Sequence, residues 1–87
     1  MKLKYRFAIE KIGNKFAAVT IDEDAGKYNK ALKVNEYGMM IIKAVKKDIS
    51  KADIVEKLDS YFEGDEKLEE KVDAFLDVLR KENLLDE

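Results

Sequence analysis

The first third of the chain alternates. Leu3, Tyr5, Phe7 and Ile9 fall between Lys2, Lys4, Arg6 and Glu10, with only Ala8 out of step. Successive strand side chains point to opposite faces, so this pattern predicts a half-buried strand over 3–10 with one wet face. Gly13 and Asn14 in "IGNK" both tolerate positive φ and place a hairpin turn there. "FAAVTI" is expected to return as a second strand over 16–21, with Ala17, Val19 and Ile21 in phase. The polar "DEDAGKYNK" reads as a loop, and "ALKV" as a short third strand over 31–34. Leu32 and Val34 share one face of that strand, Ala31 and Lys33 the other.

At Asn35 the period changes. Tyr37, Met40, Ile41, Ala44 and Val45 recur at three- and four-residue steps, which predicts a helix over 36–47. Asn35 is suited to the N-cap and Glu36 to the positive end of the helix dipole. Gly38, inside the first turn, costs about 1 kcal/mol of helix propensity relative to alanine, so close packing against the sheet is expected there. Ser50 and Asp53 resemble a capping box, with Ile49 and Ile54 placed as a hydrophobic staple. Behind them Ile54, Val55, Leu58, Tyr61 and Phe62 make the stripe of a second helix over 51–62. "EGD" breaks it, with Asp65 as the expected cap of a third helix over 66–82, striped by Leu68, Val72, Phe75, Leu76 and Leu79. Asn83 fits the left-handed position after that helix, with Leu84 folding back towards Leu79.

Three strands followed by three amphipathic helices cannot bury their apolar faces separately. One layer packed on the other satisfies both. The expected architecture is a single α+β domain over 1–87, a three-stranded antiparallel sheet followed by three α-helices.

Composition removes most chemistry. The chain has no histidine and no cysteine, and so lacks the commonest general base, the thiolate nucleophile and soft metal ligands. Ser50 is better explained as a cap than as a nucleophile. Glu69, Glu70, Asp73 and Asp77 read as the solvated face of the third helix. The four glycines are scattered singly, with no phosphate-binding loop, and "DEDAGK" lacks the acidic alternation of a calcium site. No catalytic residue, metal or cofactor is therefore expected. No segment is long and apolar enough to span a membrane, and the N-terminus lacks the apolar stretch of a signal peptide, so a cytoplasmic protein is expected.

Binding remains. With 17 Lys and Arg against 19 Asp and Glu, the net charge of −2 gives nucleic acid no general attraction, and the acidic third helix would be repelled by a DNA groove. Lys43, Lys46, Lys47 and Lys51 cluster near the end of the first helix, where they complement its dipole. If spatial order follows chain order, strand 31–34 is a sheet edge whose unpaired amides and carbonyls are open to another chain, with Lys30 and Lys33 blunting it.

"LKVNEYGMMIIKAV" resembles the strand-to-helix signature of the PQQ synthesis protein D family, roughly Leu-Asn-Glu-Thr-Gly before an apolar helix. "EDAGKYNKAL" is similar to that family's loop into its third strand. "ISKADIVEKLDSYF" and "VDAFLDVLRKENLL" look like its second helix and its closing pattern, so the resemblance runs over essentially the whole chain. Tyr37 stands where the family commonly has threonine, Ile42 where tryptophan is frequent, and Asn83 where glycine is usual.

The resemblance implies a winged-helix-like domain acting as a recognition element for ribosomally made, post-translationally modified peptides. Such a domain binds the leader segment of a precursor peptide and presents it to a modifying enzyme, often a radical SAM protein. The leader would add as a strand beside Ala31, Leu32, Lys33 and Val34. Across the groove, Val72, Phe75, Leu76 and Leu79 are committed mainly to the core, so Lys71, Ala74 and Val78 are the expected leader contacts, with Lys71 and Lys33 facing acidic leader residues. Two other functions fit the same chain: a winged-helix-like DNA-binding regulator drawing on the lysine cluster, or a permanent structural subunit of a synthetase. An exposed edge also allows a dimer as well as a monomer.

Overall fold

A computed structural model describes all 87 residues. The strands are β1 (Lys2–Leu3), β2 (Phe7–Ile12), β3 (Lys15–Thr20), β4 (Leu32–Val34) and β5 (Leu85–Asp86). The helices α1 (Glu36–Ala44), α2 (Lys51–Asp59) and α3 (Leu68–Lys81) lie between β4 and β5. β2, β3 and β4 form an antiparallel sheet in that spatial order, followed by the three helices, an α+β fold. None of the helices is long and apolar enough to cross a membrane.

The hairpin turns on Gly13 at φ +64°, while Asn14 keeps negative φ, as when glycine leads a two-residue turn. This turn pairs Ile12 with Lys15 and so places Ala18 opposite Ile9. The core-facing set of β3 is therefore Phe16 and Ala18, not the expected Ala17, Val19 and Ile21 phase. Two adjacent alanines, both buried, had made the two faces hard to tell apart.

The expected strand 3–10 is also two pieces. The chain bends at Lys4 and Tyr5, and β1 leaves the main sheet to pair with β5. Leu3 N–H donates to Val45 O at 2.9 Å and Lys4 N–H to Leu84 O at 2.9 Å, which pins this segment against the end of α1. A two-residue ladder has no periodicity to announce it.

Asn35 caps α1 as its sequence position requires, Oδ1 accepting from Gly38 N–H at 2.9 Å, and Ser50 caps α2 through Asp53 N–H at 3.2 Å. α1 and α2 each close three residues before their expected ends, at Ala44 and Asp59. α3 begins at Leu68 without a side-chain cap, so Asp65 is not its N-cap; Asp65 accepts from Lys67 N–H at 3.0 Å within the preceding turn. Beyond α3, Asn83 is left-handed at φ 58°. Leu84 N–H reaches Leu79 O and Asn83 N–H reaches Arg80 O, each at 2.9 Å, the paired bonds that close a helix and fold its chain back. Leu79 and Leu84 are both buried, so the reversal also delivers β5 to β1.

One core joins the layers. Phe7, Ala18 and Val34 from the sheet meet Ile41, Ile42 and Val45 of α1 and its cap. Ile54 and Leu58 of α2, Leu68, Val72, Leu76 and Leu79 of α3, and Leu3, Leu84 and Leu85 from the two ends of the chain complete it.

Candidate functional site

The spatial order makes β4 an edge strand. Hydrogen-bonded and non-bonded pairs alternate along an antiparallel ladder, so one bond fixes the phase of the sheet. Ile21 N–H donates to Arg6 O at 3.0 Å, and the register steps from that pair through 8↔19 and 10↔17 to 12↔15. Lys15, Ala17 and Val19 thus direct their main-chain groups to β2, while Phe16 and Ala18 direct theirs to β4. Their partners there are Val34 and Leu32. Lys33, between them, is left with its N–H and C=O aimed outward along the open edge, its side chain on the exposed face.

β4 runs antiparallel to α3, and both ends of the space between them are tied. At one end Tyr28 OH donates to Glu82 Oε1 at 2.7 Å, and Lys30 Nζ lies 3.6 Å from the same carboxylate. At the other, Lys71 Nζ donates to Tyr37 OH at 3.1 Å. The eleven-residue rise between these ties is about 16 Å, the length of roughly five extended residues. Near the Tyr37 end a cavity of about 240 Å³ is lined by Asn35, Tyr37, Lys71, Ala74, Phe75 and Val78. Val78 is 40% exposed, an apolar wall that the protein's own core does not use.

The polar end of this groove is tightly organised. Tyr37 stacks on Phe62 with ring centroids 4.1 Å apart, and its hydroxyl donates to Asp65 Oδ2. Lys71 Nζ donates to the same oxygen at 2.7 Å and sits 4.3 Å over the Tyr37 ring. The lysine, then the tyrosine hydroxyl and the Lys67 amide, hold the Asp65 carboxyl down to about 2. Asp65 in turn raises Lys71. At the far end, burial and then Glu82 push the Tyr28 hydroxyl up to about 12.

These contacts carry a pH signature. A carboxylate whose folded pKa is depressed contributes stability that is present above its unfolded value and lost as pH falls through its folded one. The Asp65 contribution should thus fade between 3.8 and about 2. Thermal melts of the protein and of Asp65→Asn should differ by a constant amount above about pH 5 and converge towards pH 2. A gap that persists unchanged at pH 2 would remove this assignment.

The structure brings Lys71, Ala74 and Val78 together with Asn35, the residue that follows β4. Leu32 and Val34 turn their side chains to the core, and Ala31 is exposed just before the strand begins. Lys33 is free of ion pairs, whereas the charge of Lys71 is already engaged by Asp65 rather than left for a ligand. Sequence reasoning had given Phe75 to the core, yet it is half-buried and lines the groove. Asn35, Tyr37, Asp65 and Tyr28 were also missed as parts of this site. Tyr28, Tyr37 and Asp65 are joined to it by residues 28 to 54 positions away, and Asn35 by its place at the junction of β4 and α1; no local pattern encodes such placements.

The model of the family described as coenzyme PQQ synthesis protein D (PqqD) matches residues 17–85 of this chain. Among solved structures, TbiB1 in complex with the TbiA(beta) leader peptide shares the fold with a TM-score of 0.69 at 16% identity. The alignment covers 99% of this chain and 95% of that one. No curated protein sequence matches at a significant level.

Proposed function

The chain belongs to the PqqD family, and from that membership we propose that it is a non-catalytic recognition element for ribosomally made, modified peptides. It binds the leader segment of a precursor by adding it as a strand to β4, and presents it in the cytoplasm to a modifying enzyme, a radical SAM protein or another maturase. One observation carries this reading: Lys33 offers an outward N–H and C=O on the open edge two residues before Asn35, which lines a largely apolar groove that the core leaves unfilled. The fold neighbour, whose structure holds a leader peptide, supports it.

Main-chain pairing with Ala31, Lys33 and the flanking amides supplies affinity, and it is indifferent to sequence. Selectivity comes from alternate leader side chains that drop into the groove against Ala74, Phe75 and Val78. Lys33 attracts acidic leader residues, a contribution of about 0.2–1 kcal/mol for an exposed pair. The tied ends limit the recognised core of the leader to about five residues.

Isothermal titration with the leader of a precursor encoded beside the gene tests the proposal. Ala74→Trp fills the groove from an exposed position on α3 and should weaken binding at least about tenfold, a loss of roughly 1.4 kcal/mol, without lowering the melting temperature. Absence of leader binding by the parent protein, or full affinity in the tryptophan variant, would sink the reading.

A further inference from the structure

The lysine cluster at the end of α1 is not one feature. Lys51 is paired with Asp73 at 2.8 Å and Glu69 at 3.2 Å. Lys43 rims a hollow between α1 and α2 beside Met40 and Tyr61. Lys46 and Lys47 are drawn elsewhere, because the bond from Leu3 N–H to Val45 O lays β1 against the end of α1. There they meet Lys2, Lys4 and Arg6 around a cleft of about 390 Å³.

Five cations converge on this cleft in a chain whose net charge is −2. Dipole complementarity accounts for Lys46 and Lys47, which follow the last turn of α1, but not for the three on the N-terminal segment. Lys2, Lys4, Lys46 and Lys47 enter none of the chain's ion pairs. Arg6 approaches Asp22 and Glu23 only loosely, at 3.6 and 3.8 Å. Asp24 is the one acid in the lining, and it is engaged by Lys27 at 3.0 Å and by Arg6 N–H at 2.8 Å. The floor is apolar, made by Leu3, Tyr5, Phe7 and Ile21. None of these residues lines the groove beside α3, and β2 stands at the opposite edge of the sheet from β4.

We propose that this cleft is a second docking site, which takes an acidic segment of a partner protein carrying an apolar anchor. The cations match the segment's carboxylates and the floor takes its anchor. A duplex is disfavoured, since its continuous phosphate charge would also meet Asp22 and Glu23 beside Arg6 and Asp48 within reach of Lys2. With the leader on β4, the natural occupant is the modifying enzyme, held at the far edge while its substrate is presented. That identification rests on the function proposed above; the preference for an acidic segment does not.

The test uses the full chain and a fluorescein-labelled synthetic peptide of Glu and Asp around one central Leu. Anisotropy should show saturable binding that weakens about tenfold or more between roughly 20 and 300 mM NaCl, as screening of exposed charges requires. Lys46→Glu with Lys47→Glu, and separately Lys2→Glu with Lys46→Glu, should each weaken it at least about tenfold while leader affinity holds and the domain stays folded, melting falling only by the few degrees that the lost dipole complement of α1 accounts for. Two variants guard against one that folds poorly. The proposal is overturned by no binding of the peptide, by binding that both variants leave unchanged, or by tighter binding to a 20-base-pair duplex. It is also overturned if the acidic peptide and the leader compete. A protein that ignores the leader yet binds the acidic peptide with these sensitivities would refute the leader reading and leave the cleft standing.

Discussion

Lys33→Pro should weaken leader binding about tenfold at least and up to roughly a hundredfold, while the domain stays folded. The phase of the sheet makes this position unusual. Leu32 and Val34 direct their amides to β3, so within β4 only the residue between them offers a donor to an incoming strand. Proline removes that donor and sets its ring where the docking carbonyl would approach. A net loss of about 0.5–1.5 kcal/mol for the bond combines with the steric block. The sheet itself loses little, because proline is tolerated on an edge strand where its missing N–H faced solvent. Leu32, before it, is already extended, as a residue preceding proline must be.

Leu32→Pro should do the opposite. It deletes a bond to Ala18, which is fully buried, and so weakens the sheet before it says anything about ligand. Leaving that partner unsatisfied costs about 1–3 kcal/mol. Lys33→Ala separates the remaining possibility, since it keeps the amide and removes only the charge, and should weaken binding by no more than about fivefold. Titration and thermal melts of the three variants give a pattern that strand addition alone predicts. Full leader affinity in a folded Lys33→Pro protein would rule out pairing at β4.

What could be read from the sequence divides along a physical line. Caps and turns were legible because their chemistry is local: Asn35, Ser50, Gly13 and Asn83 each act within a few residues of themselves. The helical stripes were legible where burial repeats along them, but Tyr61, expected in the second, is 68% exposed beyond the end of α2, and Ile42, buried on α1, fell outside the first. The phase of β3 was not, because alanines at 17 and 18 give both faces the same small apolar side chain. β1 and β5 were invisible, since each is two residues whose partner lies at the other end of the chain. The groove fell between these cases. Ala74 and Val78 could be found as the positions left over once the core stripe of α3 was assigned. The Tyr37–Asp65–Lys71 end could not, because Asp65 looks like a cap and Lys71 like a free surface charge until α1 is folded beside them.

Gly38→Leu should lower the stability of the domain by about 1–3 kcal/mol, a fall of roughly 4–8 °C in melting temperature for each kcal/mol in a protein of this size. The glycine is helical with ordinary φ, so backbone freedom does not explain it. Space does. A Cβ at this position would lie 2.7 Å from Phe75 Cε1, 3.0 Å from Phe75 Cζ and 3.0 Å from Val34 Cβ. α1 can approach both β4 and α3 only because nothing projects there. Gly38→Ala isolates the conflict, since alanine favours the helix by about 1 kcal/mol and must still displace the Phe75 ring. Phe75 is half-buried at the groove, so the ring can yield only towards the space where leader side chains are expected. Gly38→Ala should therefore change melting little and weaken leader binding. Adding Phe75→Leu, which removes the atoms nearest the new methyl, should restore binding in the alanine variant. Melting of Gly38→Leu indistinguishable from the parent would show that the packing is looser than these distances require. Failure of Phe75→Leu to restore binding would transfer the effect to Val34 and the end of β4.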